Sequence, residues 1–345
     1  MTTEMIALLG LGALISFVLT AVLGKWLIPV LHRLKFGQTI REVGPAWHKN
    51  KQGTPTMGGI LFIFGSLASM VASLVIGEYA LGVSVLSATS LTMTRLFAGL
   101  LLALCCGFIG FIDDYIKVVK KRNLGLTSLQ KLIAQLLTAL GYALSLYIAD
   151  GTSMIIPFLG EVDLGIWFIP LCVFLVVGFT NATNLTDGID GLCSSVTTVV
   201  SLAFLAVAGI FGYNGQGVWA AVLCGGLLGF LLWNKHPAKV FMGDTGSLFL
   251  GGALCALAFG IGQPWLLLPF GIVYVLETAS VMLQVGYFKL THGKRLFKMS
   301  PIHHHFEMCG WSENKICTVF CLVTVVVAAL TIWWGVATDW WLFTV

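Results

Sequence analysis

The chain predicts an all-α fold, that of a polytopic integral membrane protein. Three observations predict it. Of its 345 residues, 58% are hydrophobic and only 10% are charged. Its mean hydropathy is +0.94. Apolar runs recur along the sequence, each near the length that carries a helix across ~30 Å of hydrocarbon. A soluble protein of this size could not cover so much apolar surface. No polar stretch is long enough to fold separately, so a single integral membrane domain over 1–345 is expected.

Ten transmembrane helices are expected, at about 5–24, 57–77, 93–112, 128–148, 166–183, 191–211, 217–233, 245–262, 265–286 and 316–338. The first lacks a basic leader region and a small-residue cleavage site, and reads as a retained span. The seventh and eighth are short and Gly-rich and carry the weakest signal. Trp333, Trp334, Trp340 and Trp341 mark an interfacial belt at the end of the tenth. An even number of spans puts both termini on one side. All but one of the 19 Lys and Arg fall on the other side, Arg95 being the exception. The positive-inside rule makes the basic side cytoplasmic and both termini external, that is periplasmic. Such a face suits an anionic leaflet and a phosphorylated substrate, and no nucleic-acid partner is implied. The nine cysteines lie mostly within spans and include no CxxC, which reads as reduced thiols without a disulfide or zinc framework.

Chemistry concentrates in the connections on the basic side. Asp113 and Asp114 close the third span. A carboxylate near hydrocarbon costs about 2.5–3.5 kcal/mol at a helix centre even on the mildest scale. Two adjacent ones repel each other, so a divalent cation or a shared proton would relieve them. The plainer reading is a helix end among headgroups. Lys117 falls one turn past Asp113 and can face the same site. Lys120, Lys121 and Arg122 read as a leaflet anchor. Lys131, one turn inside the fourth span, can pair with a carboxylate or a phosphate, or snorkel.

In the first connection, Lys51-Gln52-Gly53-Thr54-Pro55-Thr56-Met57-Gly58-Gly59 reads as an ordered turn into span two. Free N–H groups there, with Lys51, Thr54 and Thr56, offer donors to a phosphate, or a Thr simply caps the helix. In the third, Asn184, Asp187 and Asp190 recur every three residues, which on a helix keeps them on one slowly rotating face. Gly188 and Gly191 permit close approach of a ligand or backbone. The alternative is a hydrated loop of Asx turns. In the fourth, Asp244 is the natural N-cap of span eight and also a hard oxygen ligand of the kind Mg2+ takes. Phe241 offers a face for stacking on a base. In the fifth, His303, His304 and His305 are consecutive and point in different directions, so they cannot share one zinc ion. Bonds to phosphate or sugar fit better, with one imidazole free for proton traffic. The preceding Phe288–Lys298 stretch is amphipathic and suits the interface. Glu277 lies inside span nine, as a functional acid or as a hydrogen-bond partner of a neighbouring helix.

Together, the segments Lys51–Gly59, Asp113-Asp114-Tyr115, Asn184–Gly191, Asn234–Ser247 and Pro301–Glu307 resemble those of the bacterial phospho-N-acetylmuramoyl-pentapeptide transferase family. That family belongs to the polyprenyl-phosphate N-acetylhexosamine-1-phosphate transferase superfamily. The paired Asp and the Asn-x-x-Asp-x-x-Asp loop are superfamily features. The Gly-Thr-Pro-Thr-Met-Gly-Gly and Pro-Ile-His-His-His-Phe-Glu segments resemble the muramoyl-pentapeptide branch. The resemblance spans the chain and no motif position departs from it. It implies transfer from UDP-N-acetylmuramoyl-pentapeptide to undecaprenyl phosphate, giving lipid I and UMP, with Mg2+, in the bacterial cytoplasmic (inner) membrane. This is the first membrane step of peptidoglycan synthesis.

Phosphoryl-transfer logic then assigns roles as expectations. Asp244 with Asp114 would hold Mg2+ on the diphosphate. Asp113 would deprotonate the lipid phosphate, unless an Asp acts instead as a covalent nucleophile. By resemblance, Asn184, Asp187, Asn234 and Phe241 surround the uridine. Lys51, Thr56, Asp190 and His303 to His305 complete the substrate site, His303 among the catalytic residues, and Lys117 and Lys131 touch phosphates. A homodimer is carried over from the family as an expectation. Two rival readings are a UDP-N-acetylglucosamine transferase of the same chemistry and an ion-coupled transporter. Transporters place such acids near the midplane, whereas here all but Glu277 lie at the rim.

Overall fold

The computed structural model describes residues 1–33, 51, 53–86, 89–119 and 125–338. In chain order its helices run α1 (Thr3–Arg33), α2 (Gly59–Ile76), α3 (Ser90–Val119), α4 (Ser128–Ile148), α5 (Phe168–Thr186), α6 (Leu192–Phe211), α7 (Asn214–Asn234) and α8 (Gly243–Gly260). A bent pair follows, α9 (Leu267–Phe270) and α10 (Ile272–Leu290), then the short α11 (Ile302–Glu307) and α12 (Glu313–Ala337). Among the described residues, α1 to α8 and α12 are each long and apolar enough to span a membrane, and the bent pair taken as one span makes ten.

The expected ninth span is not straight. Its limbs meet at 78°. Pro264 opens a 3-10 turn, Pro269 brings no backbone N–H to the first limb, and the Gly271 N–H closes on Leu267 O at 3.0 Å. The Phe179 ring occupies the space where a Gly271 side chain would lie.

The weakest sequence signal is the centre of the molecule. α8 has the lowest hydropathy of the spanning helices, yet nearly all of it is buried. It packs against α3 along much of its length and also against α5 and α2. A helix enclosed by protein has no lipid-facing side, so small residues can replace large apolar ones and let backbones approach. Gly110 of α3 lies directly on the Asp244 backbone, Gly251 of α8 on Thr180, and Gly59 of α2 on Gly246.

The all-α expectation needs one correction. Residues 153–163 form an antiparallel hairpin, β1 (Ser153–Ile156) and β2 (Gly160–Asp163), paired from Ser153↔Asp163 to Ile156↔Gly160. Ile155 N–H donates to Gly262 O at 3.1 Å and ties the hairpin to the bundle. It follows α4, whose other end carries Lys131, so it lies about 30 Å from that residue's end of the bundle. All nine cysteines are unbridged. Trp334 packs on Phe158 of the hairpin turn; Trp340, Trp341 and the Lys120–Arg122 cluster lie outside the described residues. The 288–298 stretch forms no separate amphipathic helix: α10 ends at Leu290, and Gln284 Oε1 accepts the N–H groups of Leu296 and Phe297 at 3.1 and 2.8 Å.

Candidate active site

α3 does not stop at the paired acids. It continues to Val119, so Asp113 and Asp114 lie within the helix and are buried, 3% and 1% exposed. The close α3–α8 packing brings Asp244 to them. Asp244 is not the N-cap of α8, which is Met242. It sits in the first turn with its carboxylate directed sideways. The three carboxylates offer oxygens within 4.8 Å of one another.

Two lysines thread this trio. Lys117 Nζ lies 2.6 Å from Asp113 Oδ2, 3.0 Å from Asp244 Oδ2 and 3.8 Å from Asp114 Oδ1. Lys131 Nζ, from α4, lies 2.5 Å from Asp244 Oδ2 and 3.8 Å from Asp113 Oδ2. Both lysines therefore pair with carboxylates here. Asp114 Oδ2 accepts the Thr245 N–H at 2.9 Å and its hydroxyl at 2.7 Å, while Asp113 Oδ1 accepts the Leu126 N–H at 2.8 Å. Asn184 donates to Asp244 Oδ1 at 2.8 Å and to Ser247 Oγ at 2.9 Å. Three carboxylates against two ammoniums leave one negative charge. Asp114 Oδ1 is buried with no hydrogen-bond donor on it. A hard, oxygen-only set with a spare buried lone pair fits Mg2+.

The Asn184–Asp190 triplet does not share one face. α5 ends at Thr186, and the chain then turns, sending Asn184 to Asp244 and Asp190 elsewhere. Asp190 belongs to a second cluster. Its Oδ1 pairs with Lys51 Nζ at 2.7 Å, and its Oδ2 accepts the Ala238 N–H and faces His236 Nδ1, each at 3.0 Å. Glu313, from the first turn of α12, completes it with Lys51 at 2.7 Å. Sequence reading missed Glu313 and His236. Asp187, between the clusters, retains some solvent access, but burial holds its carboxyl well above the ordinary range, and Asp244, Asp114 and Asp190 add to the effect.

Thr56 does not cap α2, whose N-cap is Gly58. Its hydroxyl is buried without a partner and lies against Gly243, beside Asp114. The first connection is fastened to the fourth by three backbone bonds: Phe241 N–H to Pro55 O at 2.8 Å, Gly58 N–H to Phe241 O at 2.8 Å and Gly59 N–H to Met242 O at 3.0 Å. Phe241 is half-buried at this junction. Asn234 is buried, accepting from the Ser194 hydroxyl at 2.8 Å and donating to Val240 O at 3.0 Å, so it braces the fourth connection from within.

The three histidines take three different partners. His303 Nδ1 meets Glu277 Oε2 at 3.0 Å, both side chains fully buried, with His303 Nε2 against Gly188. His304 Nδ1 meets Glu307 Oε2 at 2.6 Å. His305 Nδ1 accepts the Lys298 N–H at 3.2 Å. Glu277 thus serves a neighbouring helix. His303, expected among the catalytic residues of the substrate site, lies fully buried against Gly188.

Most of the chain is similar in sequence to known proteins. A chain from Clostridium perfringens strain SM101, named phospho-N-acetylmuramoyl-pentapeptide-transferase, is 47% identical over 317 residues, 92% of this chain and 93% of that one. One of the same name from Listeria monocytogenes serovar 1/2a is 47% identical over 321 residues, 92% and 95% of the two chains. The chain belongs to the phospho-N-acetylmuramoyl-pentapeptide-transferase family. Signature 1 of these transferases matches residues 51–63, the turn holding Lys51 and Thr56. The model of glycosyl transferase family 4 matches residues 96–261, which carry the acid trio, both lysines and Asn184 through Asp190. In this transferase His303 to His305 and Glu313 lie beyond both matches.

Proposed function

We propose that this transferase moves phospho-N-acetylmuramoyl-pentapeptide from its UDP-linked donor to undecaprenyl phosphate, giving lipid I and UMP, in the bacterial cytoplasmic membrane. The observation that carries this reading is the Asp113–Asp114–Asp244 trio threaded by Lys117 and Lys131. A diphosphate and a lipid phosphate bring several negative charges together, and catalysis is mostly neutralisation and alignment. The distribution of Lys and Arg supports one membrane domain with this site on the cytoplasmic side and both termini outside.

Asp244 and Asp114 would hold Mg2+. Bound there, it would neutralise charge on the diphosphate and ease departure of UMP. Asp244 is the acid most open to an incoming substrate, its side chain 18% exposed against 4% and 1% for its neighbours. Asp113 takes the proton of the lipid phosphate on Oδ2. A lipid-phosphate oxygen attacks the β-phosphorus, a new P–O bond forms, and the bond to the UMP oxygen breaks. Lys117 and Lys131 already reach both Asp113 Oδ2 and Asp244 Oδ2, so either can turn to a phosphate drawn between those acids. Phe241 and Asp187 would line the uridine side, and Thr56 stands nearer the acids, beside Asp114.

The test is UMP release by purified protein with undecaprenyl phosphate and each of two donors. UDP-N-acetylmuramoyl-pentapeptide should support Mg2+-dependent release. UDP-N-acetylglucosamine should not. Asp244→Asn should lower the rate by at least about a thousandfold, the scale of losing a charge-stabilising group at the reacting centre. Equal rates with the two donors would sink the assigned specificity.

A further inference from the structure

We infer that Glu313 is a positioning residue for the donor side of the site and that it acts through Lys51; the inference rests on the transferase reading above. Around Lys51 Nζ stand Asp190 Oδ1 at 2.7 Å, Glu313 Oε1 at 2.7 Å and Glu313 Oε2 at 2.7 Å. An ammonium has three N–H bonds. Asp190 Oδ1 and Glu313 Oε2 each accept one of them and Glu313 Oε1 stands at ion-pair distance, so in this arrangement Lys51 is a tie between segments rather than a phosphate donor.

Glu313 does more than hold the lysine. Its Oε2 also accepts the Asp190 N–H at 2.8 Å, and its Oε1 stands 3.5 Å from His236 Nδ1. One side chain at the head of α12 thereby fixes Lys51, the turn after α5 and the segment after α7. Lys51 begins the turn that ends with Thr56 against Gly243, so its placement is passed to the acid trio. α12 does not need this carboxylate to start. Ser312 caps it, its hydroxyl accepting the Lys315 N–H at 3.3 Å. Glu313 is buried, and its charge is answered by Lys51 and by the Asp190 N–H.

Glu313→Gln keeps the shape and removes the charge. In full-length protein in detergent, UMP affinity by titration calorimetry and the KM for the UDP donor should each worsen about tenfold, the size of one lost charged contact. The KM for undecaprenyl phosphate should not move. Tm should stay within about 2 °C, as the capped helix remains. Glu313→Asp, which keeps the charge on a shorter arm, should recover part of the loss. In a Lys51→Met background Glu313→Gln should add less than about twofold, because residues that act as a unit are not additive. The inference is overturned if Glu313→Gln binds UMP like the parent, or if its tenfold loss persists in Lys51→Met. A drop in Tm that Lys51→Met does not share would make Glu313 merely structural and overturn it too. Wild-type protein that binds no UMP would instead overturn the transferase reading itself.

Discussion

Asp187 is the residue whose environment most exceeds what its position in the sequence suggests. Burial and three neighbouring acids keep its proton on well above the ordinary value of 3.8. Above that value the folded chain binds more protons than the unfolded one, so stability falls as pH rises through the interval. Asp187→Asn cannot ionise and escapes that loss. In EDTA the variant should melt with wild type near about pH 4 and increasingly above it toward about pH 8. Parallel Tm curves across this range would show that Asp187 ionises freely. At this scale the sequence was legible where cost signalled it: adjacent acids in an apolar run demand partners. Glu313 was not legible. It reads as an ordinary acid in a first helical turn, and nothing local joins it to Lys51, 262 residues away.

Among elements, α3 and α8 show how a site can be set by the absence of side chains. Gly110 lets α3 lie on the backbone of Asp244, which brings Asp113 and Asp114 alongside. Gly110→Ala would force one helix to move. Overpacking of this kind costs about 1–3 kcal/mol and would separate the trio. The variant should lose a few degrees in Tm and at least about a hundredfold in kcat, since small misplacements are amplified at a reacting centre. Retained kcat with a lowered Tm would mean the trio does not depend on this contact. Hydropathy located the spans but ranked α8 among the weakest, because it reports exposure to lipid and α8 has almost none. It could not show the bend at Gly271 or the hairpin at 153–163. A broken helix keeps its apolar composition, and strands of four residues are too short for alternation to stand out.

For the molecule as a whole, the uneven placement of Lys and Arg predicts an orientation that can be checked with a native probe. Cys309 is exposed, while the other eight thiols are buried or half-buried. It follows α11 and belongs to the same connection as His303 to His305. A membrane-impermeant maleimide should label Cys309 in inside-out vesicles and leave it untouched in intact spheroplasts. Labelling of spheroplasts would invert the assignment of sides.

The three backbone bonds between Pro55–Gly59 and Phe241–Met242 join these two stretches, far apart in the gene, into a single structural part. A chimera that imports one of them from a distant relative without the other would bring mismatched halves of one joint. Divergence in this protein should therefore come in matched pairs of changes across that joint, or be confined to side chains that leave its amide geometry alone.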